Sequence, residues 1–313
     1  MGGGGGGGSF SSTKPEDLAR LVRKAEDETT VAAFEGKLSD LLGNLLGTAN
    51  ARDHVLVQER LDEIKTSLEA EIEGTIDLLF GGSVAKHTYV DGLSDVDCLL
   101  FLDDTELKDH TPRGALARLE SMITKALPPG ARASAGHMAV TIDYTDGMQL
   151  QLLPAITMQN GQLKVRSSLR DDWSHINPTT FQNALTRRNE QCGGKLVPTI
   201  KLAKAINAEF PKAQRLSGYH LESLAIAAFR DYKGKKTVAA MLPAFFEKAK
   251  SLVLSPIRDS TGQSVHVDGY LGKADSPERV AAQHLLWRVE KRIRNASASN
   301  SIAQWRAMFG IDE

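Results

Sequence analysis

Two aspartates separated by one valine, Asp95-Val96-Asp97, stand at the head of the apolar run Cys98 to Leu102, and this feature constrains the chain more than any other. Strand alternation sends Asp95 and Asp97 to one face and turns Val96 into the core. Two carboxylates sharing a face repel unless a cation neutralises them, and hard oxygen donors of this kind select magnesium or manganese. Just upstream, Ile76 to Phe80 reads as a strand that runs into Gly81-Gly82-Ser83. Gly82 lets the backbone approach a phosphate closely, and Ser83, opening a short helix, adds a hydroxyl and backbone donors at the positive helix end. A triphosphate cradle thus precedes a site for two ions. Such ions, roughly 3.5–4 Å apart, would align a hydroxyl nucleophile with an α-phosphate and offset charge on the departing pyrophosphate.

The pattern around this segment predicts two lobes. Thr13 and Glu16 form a capping-box pair before Leu18, Leu21, Val22 and Ala25, so the first helix starts there and continues towards Leu46. Val57, Leu61, Ile64, Leu68 and Ile72 form the stripe of a second helix, with Gly74 as its stop. A helix over Pro112 to Leu127 follows. Next come Val140 to Tyr144 and Met148 to Leu153, joined by Thr145-Asp146-Gly147 as a β-hairpin, which makes the sheet mixed. Beyond Pro178 the pattern is mostly helical, with helices over 196–208, 218–232, 237–253 and 277–295. The expected division is a disordered Gly-rich tail over 1–12, a lobe carrying the aspartates over 13–175, and a helical lobe over 176–313.

Composition narrows the function classes. The 313 residues carry a formal net charge of -1, so no global field draws the chain to DNA or to an anionic membrane, and any nucleotide site is local. Cys98 and Cys192 are too few for a disulfide scaffold or a zinc site, and a reducing cytosol fits them best. No apolar stretch is long enough to span a bilayer, and the start lacks the pattern of a secretory signal. Gly2 to Gly8 suggests myristoylation only superficially, because Gly6 stands where that signal needs Ser or Thr. His87, His137, His220, His266 and His284 lack paired spacing with other ligands and read as structural. No Gly-x-Ser-x-Gly elbow frames Ser83 for hydrolase chemistry.

The Gly-Ser turn followed by Asp-x-Asp on the next strand resembles the signature of the DNA-polymerase-β-like nucleotidyltransferase superfamily. The closer likeness is to the bacterial relatives of cyclic GMP-AMP synthase and oligoadenylate synthase, the CD-NTases of CBASS anti-phage defence. The helix before the Gly-Ser strand resembles their spine helix, and Leu196 to Lys204 resembles their lysine-bearing helix. Leu216-Ser217-Gly218-Tyr219-His220-Leu221-Glu222 is similar to the segment that places a serine and a base-stacking tyrosine over the nucleotide. The likeness spans about Val57 to Gly310. It implies an α+β chain: a mixed-sheet nucleotidyltransferase lobe with an N-terminal spine helix, then a helical lobe. It also implies template-independent joining of ribonucleoside triphosphates into a cyclic di- or trinucleotide messenger, with Mg2+ or Mn2+ as cofactor. Asp95 and Asp97 would hold the metals; Gly82, Ser83, Lys201, Lys204, Ser217 and Tyr219 would bind the nucleotide. An effector reading the product, a cytoplasmic location and the absence of membrane or DNA partners complete the expectation. Lys201 and Lys204, three residues apart on a helix, share a face. Transfer to a tRNA end, a protein or another acceptor is disfavoured, because no basic tract marks an acceptor groove.

One position departs from the family. Its third carboxylate precedes an apolar pair and Pro-Ala, and here Met148-Gln149-Leu150-Gln151-Leu152-Leu153-Pro154-Ala155 puts Gln151 there. An amide can lend an oxygen to a metal or a hydrogen bond to substrate, but it cannot help deprotonate a hydroxyl. Simple loss of the acid would cost roughly a thousandfold in rate. Three readings stand: a branch that uses Gln151 naturally, a degenerate nucleotide-binding protein, or an engineered inactive variant. Asp143 offers a substitute if the hairpin turn has three residues, which sets it across from Gln149 on Gln151's face; a two-residue turn faces it away.

Overall fold

The computed structural model of the chain describes residues 15–49, 54–72, 74–80, 96–167, 171–176, 178–259 and 266–311. Gly82, Ser83, His87 and Asp95 lie outside the described residues, as do the expected tail over 1–12 and Thr13 of the expected capping box.

The α+β architecture expected from the pattern is present. Helices α1 (Pro15–Ala49) and α2 (His54–Glu71) precede β1 (Gly74–Phe80) and β2 (Val96–Thr105); α3 (Pro112–Ala126) follows. Then come β3 (Arg132–Ala135), β4 (Val140–Asp143), β5 (Gln149–Thr157), β6 (Leu163–Arg166) and β7 (Trp173–Ile176). From there the described chain is helical: α4 (Pro178–Gln191), α5 (Leu196–Ala208), α6 (Gly218–Ala228), α7 (Val238–Leu252), α8 (Pro277–Ala298) and α9 (Ile302–Ala307). The short strands β3, β6 and β7, and helix α4, have too little periodicity to announce themselves in the sequence.

The seven strands form one mixed sheet in the order β1-β2-β5-β4-β3, with β6 and then β7 continuing from β5. The β2–β5 pair is parallel and the others are antiparallel. One face carries Leu78, Cys98, Leu100, Leu102, Val140, Ile142, Leu150 and Leu152, which pack against α2 and α3. The α2 stripe expected from Val57, Leu61, Ile64, Leu68 and Ile72 is buried there, each residue 5% exposed or less. The opposite face has a smaller apolar patch around Leu99, Ala155 and Val165.

A second core unites α5 to α9 around Phe245, Phe246, Leu224, Leu286 and Trp305. Phe34, Leu38 and Leu42 of α1 belong to this core, whereas residues 22–33 of the same helix are exposed all round.

Gly74 does more than stop a helix. Helix α2 ends at Glu71, and Gly74 opens β1 with φ +133°, where a side chain would run into the carbonyl oxygen of Asp104 on the paired strand. Both the backbone conformation and the close approach require glycine. Gly74→Ala is expected to destabilise the protein by about 2 kcal/mol or more, read as a lower midpoint in urea unfolding.

Candidate active site

The parallel pairing of β2 with β5 sets Asp97 opposite Gln151, Leu99 opposite Leu153 and Phe101 opposite Ala155. On the other side of β5, Thr141 stands opposite Gln151 and Asp143 opposite Gln149. Residues in register on neighbouring strands share a face. The positions of Asp97, Gln151 and Thr141 therefore form a row across the sheet on the face that α2 and α3 leave uncovered. Strands are spaced by about 4.8 Å, so Asp97 and Gln151 are near neighbours.

The hairpin resolves the choice left open for Asp143. The Gly147 N–H donates to the Tyr144 carbonyl (3.1 Å) and the Tyr144 N–H to the Met148 carbonyl (2.9 Å), closing a three-residue turn over Thr145-Asp146-Gly147. Asp143 thus shares the face of Gln149 and Gln151. Its carboxylate accepts a short hydrogen bond from Gln149 Nε2, and β4 lies two strands, about 10 Å, from β2.

The other residues expected to bind the nucleotide lie on α5 and at the start of α6. Lys201 and Lys204 lie one turn apart on α5. Lys201 is half-buried, and its pKa is lowered by burial first and by the charge of Lys204 second. Lys204 is 6% exposed and donates to Glu222 Oε1 of α6 at 2.8 Å, where the glutamate is 1% exposed. Gly218, the first residue of α6, sits directly over this pair: a side chain there would meet Lys204 Nζ at 3.4 Å. Ser217 caps α6, its hydroxyl accepting from the His220 N–H (3.2 Å). Tyr219 packs on Phe181 of α4, ring centroids 4.6 Å apart, and donates its hydroxyl to Asp259 Oδ1 at 2.9 Å.

Behind Ser217 lies a buried polar network. His220, Asp268 and Arg279 are all 0% exposed. Arg279 reaches Asp268 Oδ2 at 2.7 Å and donates to the carbonyls of Val253, Asp268, Gly272 and Lys273. Asp268 also accepts from the Ile257 N–H (3.0 Å). The Nε2 of His220 lies 3.4 Å from Asp268 without completing a hydrogen bond, while Nδ1 is 2.9 Å from the Tyr270 hydroxyl. Burial pulls the His220 pKa down to about 4; Asp268 opposes this and Arg279 reinforces it. His220 is a structural histidine, as its spacing indicates.

Glu222, Asp259, Asp268, Tyr270 and Arg279 escape a reading by motif. A signal existed for one of them: Glu222 is a lone charge within an otherwise apolar helical run, and a charge in such a run needs a partner. Asp268 and Arg279 lie in a stretch with no such pattern.

A model of the Second Messenger Oligonucleotide or Dinucleotide Synthetase domain family (SMODS) matches residues 34–189. No curated protein matches the chain. Among solved structures, CdnC of E. coli MS115-1 with ATP is similar at 15% identity and TM-score 0.61, over 90% of this chain and 97% of that one. The CD-NTase CdnG of Bradyrhizobium diazoefficiens, in complex with GTP, is similar at 15% identity and TM-score 0.62, over 82% and 90%. The cyclic AMP-GMP synthase DncV of Vibrio cholerae, in complex with a linear pppApG intermediate, is similar at 12% identity and TM-score 0.63, over 96% and 92%. At these identities the likeness establishes a shared fold.

Two measurements test the polar interior. Glu222→Gln leaves the Lys204 ammonium buried without its counter-charge and is expected to cost about 3–5 kcal/mol in urea unfolding, whereas Lys204→Met with Glu222→Leu recovers most of that loss. His220 is neutral when folded and titrates near its ordinary 6.5 when unfolded. The unfolded chain therefore binds the extra proton between pH 6.5 and about 4, and stability falls as pH falls through that window. His220→Gln should flatten this part of the stability profile by about one proton.

Proposed function

Because this chain belongs to the second messenger oligonucleotide or dinucleotide synthetase family, the bacterial cyclic GMP-AMP synthase/DncV-like nucleotidyltransferases, we propose that it joins ribonucleoside triphosphates without a template into a cyclic di- or trinucleotide. The observation that carries the proposal is the register of Asp97 with Gln151 on the sheet face opposite α2 and α3. Family neighbours in complex with ATP, GTP and a linear dinucleotide support nucleotide substrates.

The donor set suits a hard divalent ion, since every side chain concerned offers oxygen. Asp95 and Asp97 would hold Mg2+ or Mn2+, with the Gln151 amide oxygen as a neutral third donor. A bound ion supplies charge neutralisation at the phosphates and acidifies the attacking hydroxyl. The remaining work falls to the chain itself. Gly82 and Ser83 would hold the triphosphate through backbone and hydroxyl donors. Lys201, the more accessible of the two α5 lysines, would meet phosphate oxygens as a point charge, with Lys204 close behind it and held by Glu222. Ser217 would sit over the nucleotide at the start of α6, and Tyr219 would stack on a base, its ring kept in place by Phe181 and Asp259. Gln151 would orient the attacking hydroxyl by hydrogen bonding and leave its proton for another acceptor.

No helix among the described residues is long and apolar enough to cross a membrane. We place the reaction in the cytoplasm, feeding an anti-phage (CBASS) effector that reads the product.

A second reading, a nucleotide-binding protein of this fold without catalysis, is favoured by one observation: the row through Asp97 continues into Gln151 and Thr141, neither of them an acid.

Incubation with mixed ribonucleoside triphosphates and Mg2+, read by mass spectrometry, separates the two. A cyclic phosphodiester product is expected, reduced roughly a thousandfold by Asp97→Asn. Product from Gln151→Asp but not from the unaltered chain would establish the second reading; product from neither would sink the first.

A further inference from the structure

A tyrosine ordinarily buries its ring and keeps its hydroxyl wet. Tyr270 departs from this, with its hydroxyl engaged inside the protein and about half of the residue exposed. The residue is 52% exposed, yet its hydroxyl accepts from the Ser217 N–H at 3.1 Å and lies 2.9 Å from Nδ1 of the fully buried His220. Burial accordingly raises the phenol pKa. The ring meets His220 edge-on, at 5.9 Å between centroids and 81° between planes.

Both ends of the side chain are fixed. Its backbone lies in the short helical turn Gly269–Leu271, between Asp268 at 0% and Leu271 at 8% exposure. Asp268 is itself clamped by Arg279 and the Ile257 N–H. A ring so held cannot fold back onto the body to hide its apolar faces. The surrounding charge network thus maintains a half-exposed aromatic ring in one orientation, whose burial under a flat partner would be favourable.

The position says what covers it. The Tyr270 hydroxyl touches the backbone of Ser217, two residues before Tyr219, at the segment assigned above to the nucleotide. Joining two nucleotides requires two bases to be held at once, and Tyr219 accounts for one. We propose that Tyr270 is a second aromatic platform of this site and stacks on a nucleobase, with His220, Asp268 and Arg279 as the positioning residues that hold its ring. The inference rests on the function proposed above. Stacking uses the π-face common to all bases, so Tyr270 contributes affinity rather than base selectivity.

The test is calorimetric titration of the full chain, with Mg2+, by each of the four ribonucleoside triphosphates and by inorganic tripolyphosphate, which has no base. Tyr270→Leu is expected to weaken at least one nucleoside triphosphate by about tenfold or more with tripolyphosphate affinity unchanged, while the thermal midpoint falls because the Ser217 N–H and His220 lose their partner. Tyr270→Phe keeps the ring without its anchor and should fall between. If all four nucleotides bind Tyr270→Leu as they bind the unaltered protein, the assignment of Tyr270 is overturned while the proposed function stands. Equal weakening of tripolyphosphate would show a structural role and also overturn it. Failure of the unaltered protein to bind any nucleotide would remove the proposed function and Tyr270's role with it.

Discussion

Everything about the candidate site depends on β2 and β5 running parallel in a fixed register. A shift of one residue would exchange the two faces, putting Asp97 into the apolar layer under α2 and α3 and turning Cys98 and Leu100 out of it. The burial of Cys98, Leu100, Leu150 and Leu152, all 1% exposed or less, makes that shift prohibitively costly. The polar row through Asp97, Gln151 and Thr141 is in this sense a by-product of core packing: the hydrophobic side of each strand dictates where its chemical side points.

The helical lobe solves a different problem. It holds the start of α6 with buried charges where apolar groups would serve stability as well. The Lys204–Glu222 pair ties α5 to the start of α6, and Arg279 ties α8 to the chain around Asp268. Both pairs are almost fully removed from water, and they meet the first turn of α6, Lys204 beside Gly218 and Asp268 3.4 Å from His220. Their directional bonds fix one arrangement of the α6 N-terminus among the several that apolar packing alone would tolerate, which is consistent with specificity outweighing net stability.

Legibility followed periodicity. The α2 stripe, the apolar run after Asp97 and the hairpin around Gly147 carry their own signals and appear where the pattern puts them. Helix α6 ends at Ala228, short of the expected 232, because beyond Phe229 the chain continues in i→i+3 turns, Arg230 N–H to Ala227 and Tyr232 N–H to Phe229, in place of α-helical bonds. The short strands β3, β6 and β7 are held by pairing partners remote in sequence, and four residues are too few to show an alternation. Of the candidate site, the Asp97 strand and the helix carrying Lys201 and Lys204 appear where the pattern puts them because each lies within one short stretch of chain, while Asp95 lies outside the described residues. The contacts of Tyr270 were not readable: its hydroxyl is engaged by residues 50 and 53 positions away, and no local pattern encodes such a contact.

Helix α1 is about 52 Å long, but only its second half has a core to join. From Phe34 onward it is anchored by burial, while residues 22–33 form turns that meet water on every side. An isolated segment of that size is marginal in water, so its hydrogen bonds persist only because the anchored turns template them. Residues 22–33 can therefore fray without exposing a buried side chain of their own, and their amides exchange with solvent long before those of the body. A protease nicking this stretch would meet no buried side chain among residues 22–33, so this is where the helix is most open to cleavage.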